Sequence, residues 1–390
     1  MTVVAVKRAG LYEVSLPLVQ PFRLSGGELA VRRSLIVELE DAYGLTGYGE
    51  SAPFEAPFYS AETVESARSC LCALLLPRVL ERPVSAPREL SQLLHDGFRG
   101  NEMARAGVET AWWDLVAARR GVSLAQLVTE RLRELGVADR WHRRRRRLEC
   151  GIAIGIPEPA DASIVERDVE RAIRAGYRRI KLKIKPGWDE EPVRAARDAL
   201  RSTGSELPLT ADANGAYDPE RDRALLRALD RFGLLYLEQP FSAESLWDSC
   251  ELARELATPL CLDETLTSEA VARQVVAMSG PVVWNIKIQR VGGLEEACRI
   301  YARGVREGMK LWAGTMPETG VGAQAILALG AHAGFVYPSD VEPSNRWYRA
   351  GTDLIELRMH SDGTMDVPEE RITPSMEGRA RLLWERHAGG

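Results

Sequence analysis

From Leu148 onward the chain repeats one unit, a short apolar run followed by an amphipathic helical stretch. The runs fall at 148–155, 178–184, 207–212, 233–238, 258–263, 282–288, 309–315 and 334–338. Strict alternation of strand and helix implies right-handed βαβ units and a parallel sheet. Eight such units close most naturally into a TIM-like (β/α)8 barrel, with an open doubly wound sheet as the alternative. The rhythm stops after about Asp340. Beyond it, Asp353-Leu-Ile-Glu-Leu-Arg-Met359 and Ser361-Asp-Gly-Thr-Met365 predict a small hairpin that packs back on the N-terminal region.

The first third of the chain has a different grammar. Residues up to about 60 alternate apolar and polar positions, as in Ser34-Leu-Ile-Val-Glu-Leu-Glu-Asp41, and predict an antiparallel meander. Helical spacing replaces alternation from about Ala61 to Val128, with Gly121 placed as a stop after the stretch Ala104–Arg119. Sheet followed by helices is an α+β pattern. The expected division is therefore an α+β domain at 1–130, a basic linker at 131–147, the barrel at 148–340, and a tail at 341–390 that returns to the first domain.

Charge narrows the function classes. A net charge of −5 argues against a nucleic-acid binder, although Arg140-Trp-His-Arg-Arg-Arg-Arg-Arg147 looks like a phosphate-binding patch in isolation. It lies where a linker enters the first barrel strand, and blocks of like charge are normally solvated. No apolar run reaches the roughly 18–20 residues of a membrane span, and no cationic-then-apolar leader opens the sequence. Six scattered cysteines read as reduced core residues. A cytoplasmic enzyme acting on a small molecule, with no membrane or nucleic-acid partner, fits these features; a homo-oligomer is compatible with them.

In a barrel of this kind, side chains at the C-terminal ends of the strands face the site. The third run ends in Asp212, the fourth in Glu238 and the fifth in Asp263. Any one of them could cap the following helix. Three at equivalent positions would repel one another unless a cation lay between them, and all-oxygen ligation selects a hard ion, Mg²⁺ with Mn²⁺ as substitute. On the second run, Lys181, Lys183 and Lys185 share one face. Lys181 and Lys183 fall near the rim, where repulsion and a nearby divalent ion would favour a neutral amine usable as a general base; Lys185 falls outside the strand. The sixth run carries Asn285 and Lys287 on one face, four strands away in an eight-strand ring. Two lysines approaching a carboxylate substrate from opposite sides suit removal of the proton alpha to that carboxylate, with the cation stabilising the enediolate.

These residues resemble the enolase superfamily, specifically the muconate-lactonising branch that contains o-succinylbenzoate synthases and N-succinylamino acid racemases. The likeness runs from Pro21-Phe22, Gly47-Tyr-Gly-Glu50 and Ala56-Pro-Phe-Tyr59 through Lys181-Leu-Lys183, Asp212-Ala-Asn214, Glu238-Gln-Pro240, Asp263-Glu264 and Asn285-Ile-Lys287 to Arg290-Val-Gly-Gly293 and Glu318-Thr-Gly320. It implies Asp212, Glu238 and Asp263 as metal ligands, Lys183 as base, Lys287 as the opposing lysine, and Lys181 as the group that tunes Lys183. It also implies that Asn214, Asn285, Tyr59, Thr315, Met316 and Glu318 contact substrate, and that the α+β region 1–130 and the tail 341–390 form a capping domain whose loops around Arg23–Glu28 and Pro53–Tyr59 close over it. Trp312-Ala-Gly-Thr-Met-Pro-Glu-Thr-Gly320 is similar to the segment after the seventh strand of this synthase/racemase group, with Thr315 and Pro317 standing where Gly and Leu are expected. The Asp-x-Asp pair of dipeptide epimerases is absent. The implied activity is dehydration to o-succinylbenzoate in menaquinone synthesis, with N-succinylamino acid racemisation at the same site as the alternative. A scaffold that binds without catalysing is disfavoured, because all five key positions are intact.

Overall fold

Alternating apolar residues make the N-terminal meander. In this computed structural model, which describes residues 3–23 and 26–389, β1 (Val6–Arg23), β2 (Glu28–Asp41) and β3 (Thr46–Ser51) pair antiparallel. Leu35, Val37 and Leu39 of β2 are fully buried and belong to the same core as the long helix Glu102–Arg120. That helix ends at Gly121, whose φ of 61° is the left-handed conformation a glycine cap supplies. Contact between sheet and helix requires glycine as well: a Cβ at Gly49 would collide with the backbone of Gly107 and Ala111.

Seven parallel strands then follow the predicted rhythm: β5 (Gly151–Ile154), β6 (Arg179–Lys183), β7 (Leu209–Asp212), β8 (Leu237–Glu238), β9 (Leu260–Leu262), β10 (Val283–Ile286) and β11 (Lys310–Ala313), in unbroken neighbour order. The eighth run forms no regular strand among the described residues. Pro338 lacks the N–H that ladder pairing needs, yet the segment still closes the ring. Phe335 bridges Leu311 on one side and Ser339 bridges Cys150 on the other, with the Val336 N–H bonded to the Leu311 carbonyl at 2.9 Å and the Gly151 N–H to the Ser339 carbonyl at 2.6 Å.

The expected C-terminal hairpin forms only at its turn, where Met359 bridges Met365 antiparallel and the His360 N–H bonds to the Thr364 carbonyl at 2.8 Å. Residues 353–357 are committed elsewhere: the Asp353 carboxylate accepts from the Gly320 N–H at 2.9 Å, and the Leu354 and Leu357 carbonyls accept from Ser375 and Ser344. Beyond a turn, β12 (Thr364–Asp366) pairs instead with β4 (Arg147–Glu149), the front half of the first apolar run. β13 (Ala380–His387) then joins the N-terminal sheet beside β1. The arginine run is largely exposed, as expected of a solvated linker. It is also tied down: Arg145 donates to the Phe335 carbonyl at 2.8 Å, and Arg147 pairs with Asp362 and Asp366.

Buried acids fasten the N-terminal unit to the barrel at helix N-termini, where free N–H groups and the helix dipole favour negative charge. Glu109 accepts from the Glu295 N–H at 2.6 Å, at the start of helix Leu294–Arg306. Glu50, fully buried at the end of β3, accepts from the Thr319 N–H, the Thr319 hydroxyl (2.7 Å) and the Gly322 N–H (2.9 Å), at the start of helix Gly320–Gly330. Removing it leaves those donors buried and unsatisfied. Glu50→Ala is expected to lower unfolding free energy by about 3 kcal/mol in urea denaturation, and a change below about 0.5 kcal/mol, the level of an ordinary surface substitution, would show that Glu50 is no anchor.

Candidate active site

Strand register brings the predicted acids and lysines to one rim. Lys183 pairs in register with Asp212, and Asp212 with Glu238. Asp263 and Lys287 follow immediately after β9 and β10. All five are buried. Lys183 Nζ lies 2.6 Å from Asp212 Oδ2 and 2.9 Å from Asn214 Oδ1. Across the barrel, Lys287 Nζ lies 2.9 Å from Asp263 Oδ2 and 2.9 Å from the Tyr59 hydroxyl. A cavity of about 50 Å³ between them is lined by Lys181, Lys183, Lys287, Tyr59, Thr315 and Met316. Phe22, Leu29, Phe54 and Trp347 wall it on the apolar side.

The other candidates lie at the margin. Asn214 faces a neighbouring cavity of about 230 Å³ shared with Tyr59, Gln239 and Glu264, and its amide donates to Glu264 at 2.9 Å. Asn285 is fully buried and bonds two acids at once, Glu238 at 2.9 Å and Asp263 at 2.8 Å. Glu318 turns back to accept from the Met316 N–H at 2.8 Å. Neither Asn285 nor Glu318 lines the central cavity. Of the two expected covering loops, Pro53–Tyr59 is in place, with Tyr59 reaching Asp263 at 3.1 Å. In the other, Leu24 and Ser25 lie outside the described residues; Arg23 pairs with Glu28 and Glu158.

Lys181 meets counter-charges that repulsion from Lys183 alone leaves out of account. Its ammonium sits 2.5 Å from Asp340, 3.4 Å from Glu238 and 3.5 Å from Asp212. Burial works to lower its pKa, but Asp340, Glu238 and Asp212 together raise it well above the usual lysine range. Asp340 also pairs with Arg179, and against the opposing effect of burial the two cations draw its pKa down to about 2. Lys287 is likewise raised, burial being outweighed by Asp263.

The donor set suits a hard cation. Glu238 Oε2 and Glu264 Oε2 are buried without a hydrogen-bond partner, and burial, followed by repulsion from Asp212, pushes the Glu238 carboxyl up to about 8. Such oxygens call for compensating positive charge. Among the described residues no three acids, histidines or cysteines are gathered as a ready metal cage. Instead, Lys183 lies on Asp212, and Lys287 and Arg290 lie on Asp263, neutralising the oxygens a cation would use.

Asp340, Arg179 and Arg290 were missed as site residues. Arg179 precedes Lys181 by two positions and so shares its face, a relation readable from the strand period. Asp340 lies two residues past the eighth run, 334–338, and so falls outside the strand-end rule. Arg290, on the short helix Ile288–Val291 after β10, carries no periodicity signal.

Fold and site define a capped α/β-barrel enzyme with acids and lysines facing one another at the mouth. The mandelate racemase / muconate lactonizing enzyme N-terminal domain matches residues 8–129, and the enolase C-terminal domain-like family matches residues 165–371. The chain is 39% identical over 360 residues to an o-succinylbenzoate synthase of Geobacillus stearothermophilus, covering 92% of this chain and 90% of the relative. It is 40% identical over 365 residues to an N-succinylamino acid racemase of Thermus thermophilus, covering 93% and 92%. A solved enolase-superfamily member from Listeria innocua matches with a TM-score of 0.87 at 32% identity, covering 99% of each chain. The chain belongs to the enolase superfamily, in its mandelate racemase / muconate lactonizing enzyme branch. Enzymes of that superfamily generally depend on a divalent metal.

Proposed function

We propose that this protein removes the proton alpha to a substrate carboxylate, and that its reaction is dehydration of a cyclohexadiene carboxylate to o-succinylbenzoate in menaquinone synthesis. The observation that carries the reading is the pair Lys183 and Lys287, which line one cavity from opposite sides with Asp212, Glu238 and Asp263 behind them. Relatives named o-succinylbenzoate synthase support the choice of reaction. Lys183 takes the alpha proton, and the electrons of that C–H bond become the new ring double bond as hydroxide leaves. On the same face, the newly protonated Lys183 can return its proton so that the leaving group departs as water. A divalent cation among Asp212, Glu238 and Asp263, Mg²⁺ with Mn²⁺ as substitute, supplies positive charge against the second negative charge that develops on the substrate carboxylate. Lys287 adds charge from the far side, and Lys181, held by Asp340, keeps Asp212 and Glu238 in place.

In this reading residues 1–130 and the tail 341–390 form the cap over the 148–340 barrel, with 131–147 between them. Tyr59, Thr315 and Met316 shape the pocket directly. Asn214, Asn285 and Glu318 act from its margin, through the acids and backbone they bond. The described residues contain no helix long and apolar enough to cross a membrane, and all six cysteines are free; we place the enzyme in the cytoplasm.

The opposed lysines also favour N-succinylamino acid racemisation at the same site, since a proton can be removed on one face and delivered on the other. The two reactions are best assayed side by side. Exhaustive EDTA treatment is expected to abolish both, and added Mg²⁺ to restore them. Turnover that survives chelation would defeat the metal-assisted reading.

A further inference from the structure

The structure assigns Gln239 as the positioning residue that fixes the spacing of the three acids for a divalent cation, an inference that rests on the metal-assisted reading above. Gln239 directly follows Glu238 and is fully buried. Its side-chain amide is saturated. Oε1 accepts from the Asp263 N–H at 3.0 Å and the Thr265 N–H at 3.2 Å. Nε2 donates to the Phe241 carbonyl and to the Thr265 hydroxyl oxygen, both at 2.8 Å. The backbone adds two more ties, its N–H to the Cys261 carbonyl and its carbonyl to the Gly215 N–H, each at 2.8 Å.

These bonds reach the ends of three strands. Gly215 lies three residues past Asp212, Gln239 adjoins Glu238, and the amide carries the N–H of Asp263 itself. One residue, through its amide and its backbone together, therefore ties the strand ends from which the three carboxylates leave, and its side chain sets the Asp263 end directly. The backbone is held in an unusual conformation to do so: φ at Gln239 is +37°, a region that residues other than glycine rarely occupy. Such a conformation persists where surrounding contacts over-determine it, and here six hydrogen bonds do. With every donor and acceptor of its amide engaged, Gln239 has nothing to offer substrate or cation directly. It acts through Asp263 and Thr265, in the way that groups bonded to metal ligands orient them.

Leucine and glutamate would each be poor replacements for different reasons: the first has no polar atoms, and the second adds charge while turning an acceptor toward the Phe241 carbonyl. Methionine keeps the length and shape and drops all four side-chain bonds, which makes Gln239→Met the informative variant. Thr265→Val removes one of the two Nε2 acceptors, along with the hydroxyl's own donation to the Ala243 carbonyl at 3.2 Å.

The test is calorimetric titration of metal-free protein with Mn²⁺, alongside the thermal midpoint of the same metal-free samples, for the unaltered chain, Gln239→Met and Thr265→Val. Gln239→Met is expected to bind Mn²⁺ about 10–100-fold more weakly, the usual effect of losing a group that orients metal ligands, and Thr265→Val to lose under about tenfold in the same direction. A purely structural role would lower the midpoint and leave Mn²⁺ affinity unchanged, and that result overturns the assignment. Should Gln239→Met fail to fold, undiminished affinity in Thr265→Val overturns it equally. Failure of the unaltered chain to bind Mn²⁺ would remove the metal-assisted reading and this inference together, whereas binding that the variants do not weaken removes this inference alone.

Discussion

Lys183→Ala is expected to lower both dehydration and N-succinylamino acid racemisation by about 10²–10⁴-fold, the contribution of a positioned general base, while the protein stays folded. The fold should survive because the acid left behind is not stranded. Asp212 keeps Lys181 at 3.5 Å, and its Oδ1 still accepts from the Asn214 N–H at 3.0 Å. Lys183→Arg separates a base from a mere charge. Arginine would restore a cation beside Asp212 but cannot give up its proton in a protein, so a base requirement predicts no rescue. Both variants are read by steady-state turnover of each substrate with saturating Mg²⁺. Near-normal turnover in Lys183→Ala would show that another group takes the proton; recovery in Lys183→Arg would show that Lys183 contributes charge alone.

The parts of this site that were legible in the sequence are those governed by period and strand end. Lys181 and Lys183 share a face because side chains two apart on a strand do so, and Asp212, Glu238 and Asp263 reach one rim because each closes an apolar run. Asp340 lies two residues beyond the eighth run, so the same reasoning stops short of it. What it could not supply was the pairing among these groups. Charge repulsion between neighbouring lysines suggested a neutral Lys181; the decisive partner, Asp340, comes from 159 residues away, and only closure of the ring places it within reach. Glu50 presents the same problem, since its donors lie 269 residues on. The first arm of the tail hairpin departs from expectation for a related reason. Residues 353–357 have the alternation of a strand, but their polar groups are taken by the start of helix Gly320–Gly330 and by the chain around Ser344 and Ser375, and local pattern does not report such long-range commitments.

Lys287 distinguishes the two reactions that one set of residues can support. It is expected that Lys287→Ala abolishes solvent-deuterium exchange at the alpha carbon of one N-succinylamino acid enantiomer and preserves exchange of the other. Lys183, on β6, and Lys287, after β10, reach the cavity from opposite sides of the ring, so each can address only one face of a planar enediolate. Racemisation needs a proton removed on one face and delivered on the other; syn dehydration needs only the Lys183 face. Dehydration should nevertheless fall about 10²–10³-fold, the loss seen when one preorganised charge or donor is withdrawn from a developing anion. Rates alone therefore do not separate the roles of Lys287, and exchange does. Its ammonium is held 2.9 Å from both Asp263 and the Tyr59 hydroxyl and lies 5.0 Å from the Tyr59 ring centre, which keeps it aimed along one approach. The complementary variant supplies the control: Lys183→Ala should retain exchange of the enantiomer that Lys287→Ala loses. Exchange of both enantiomers unaffected by Lys287→Ala would mean that the second lysine never handles a proton, and the chain would then be a dehydratase whose far lysine contributes charge alone.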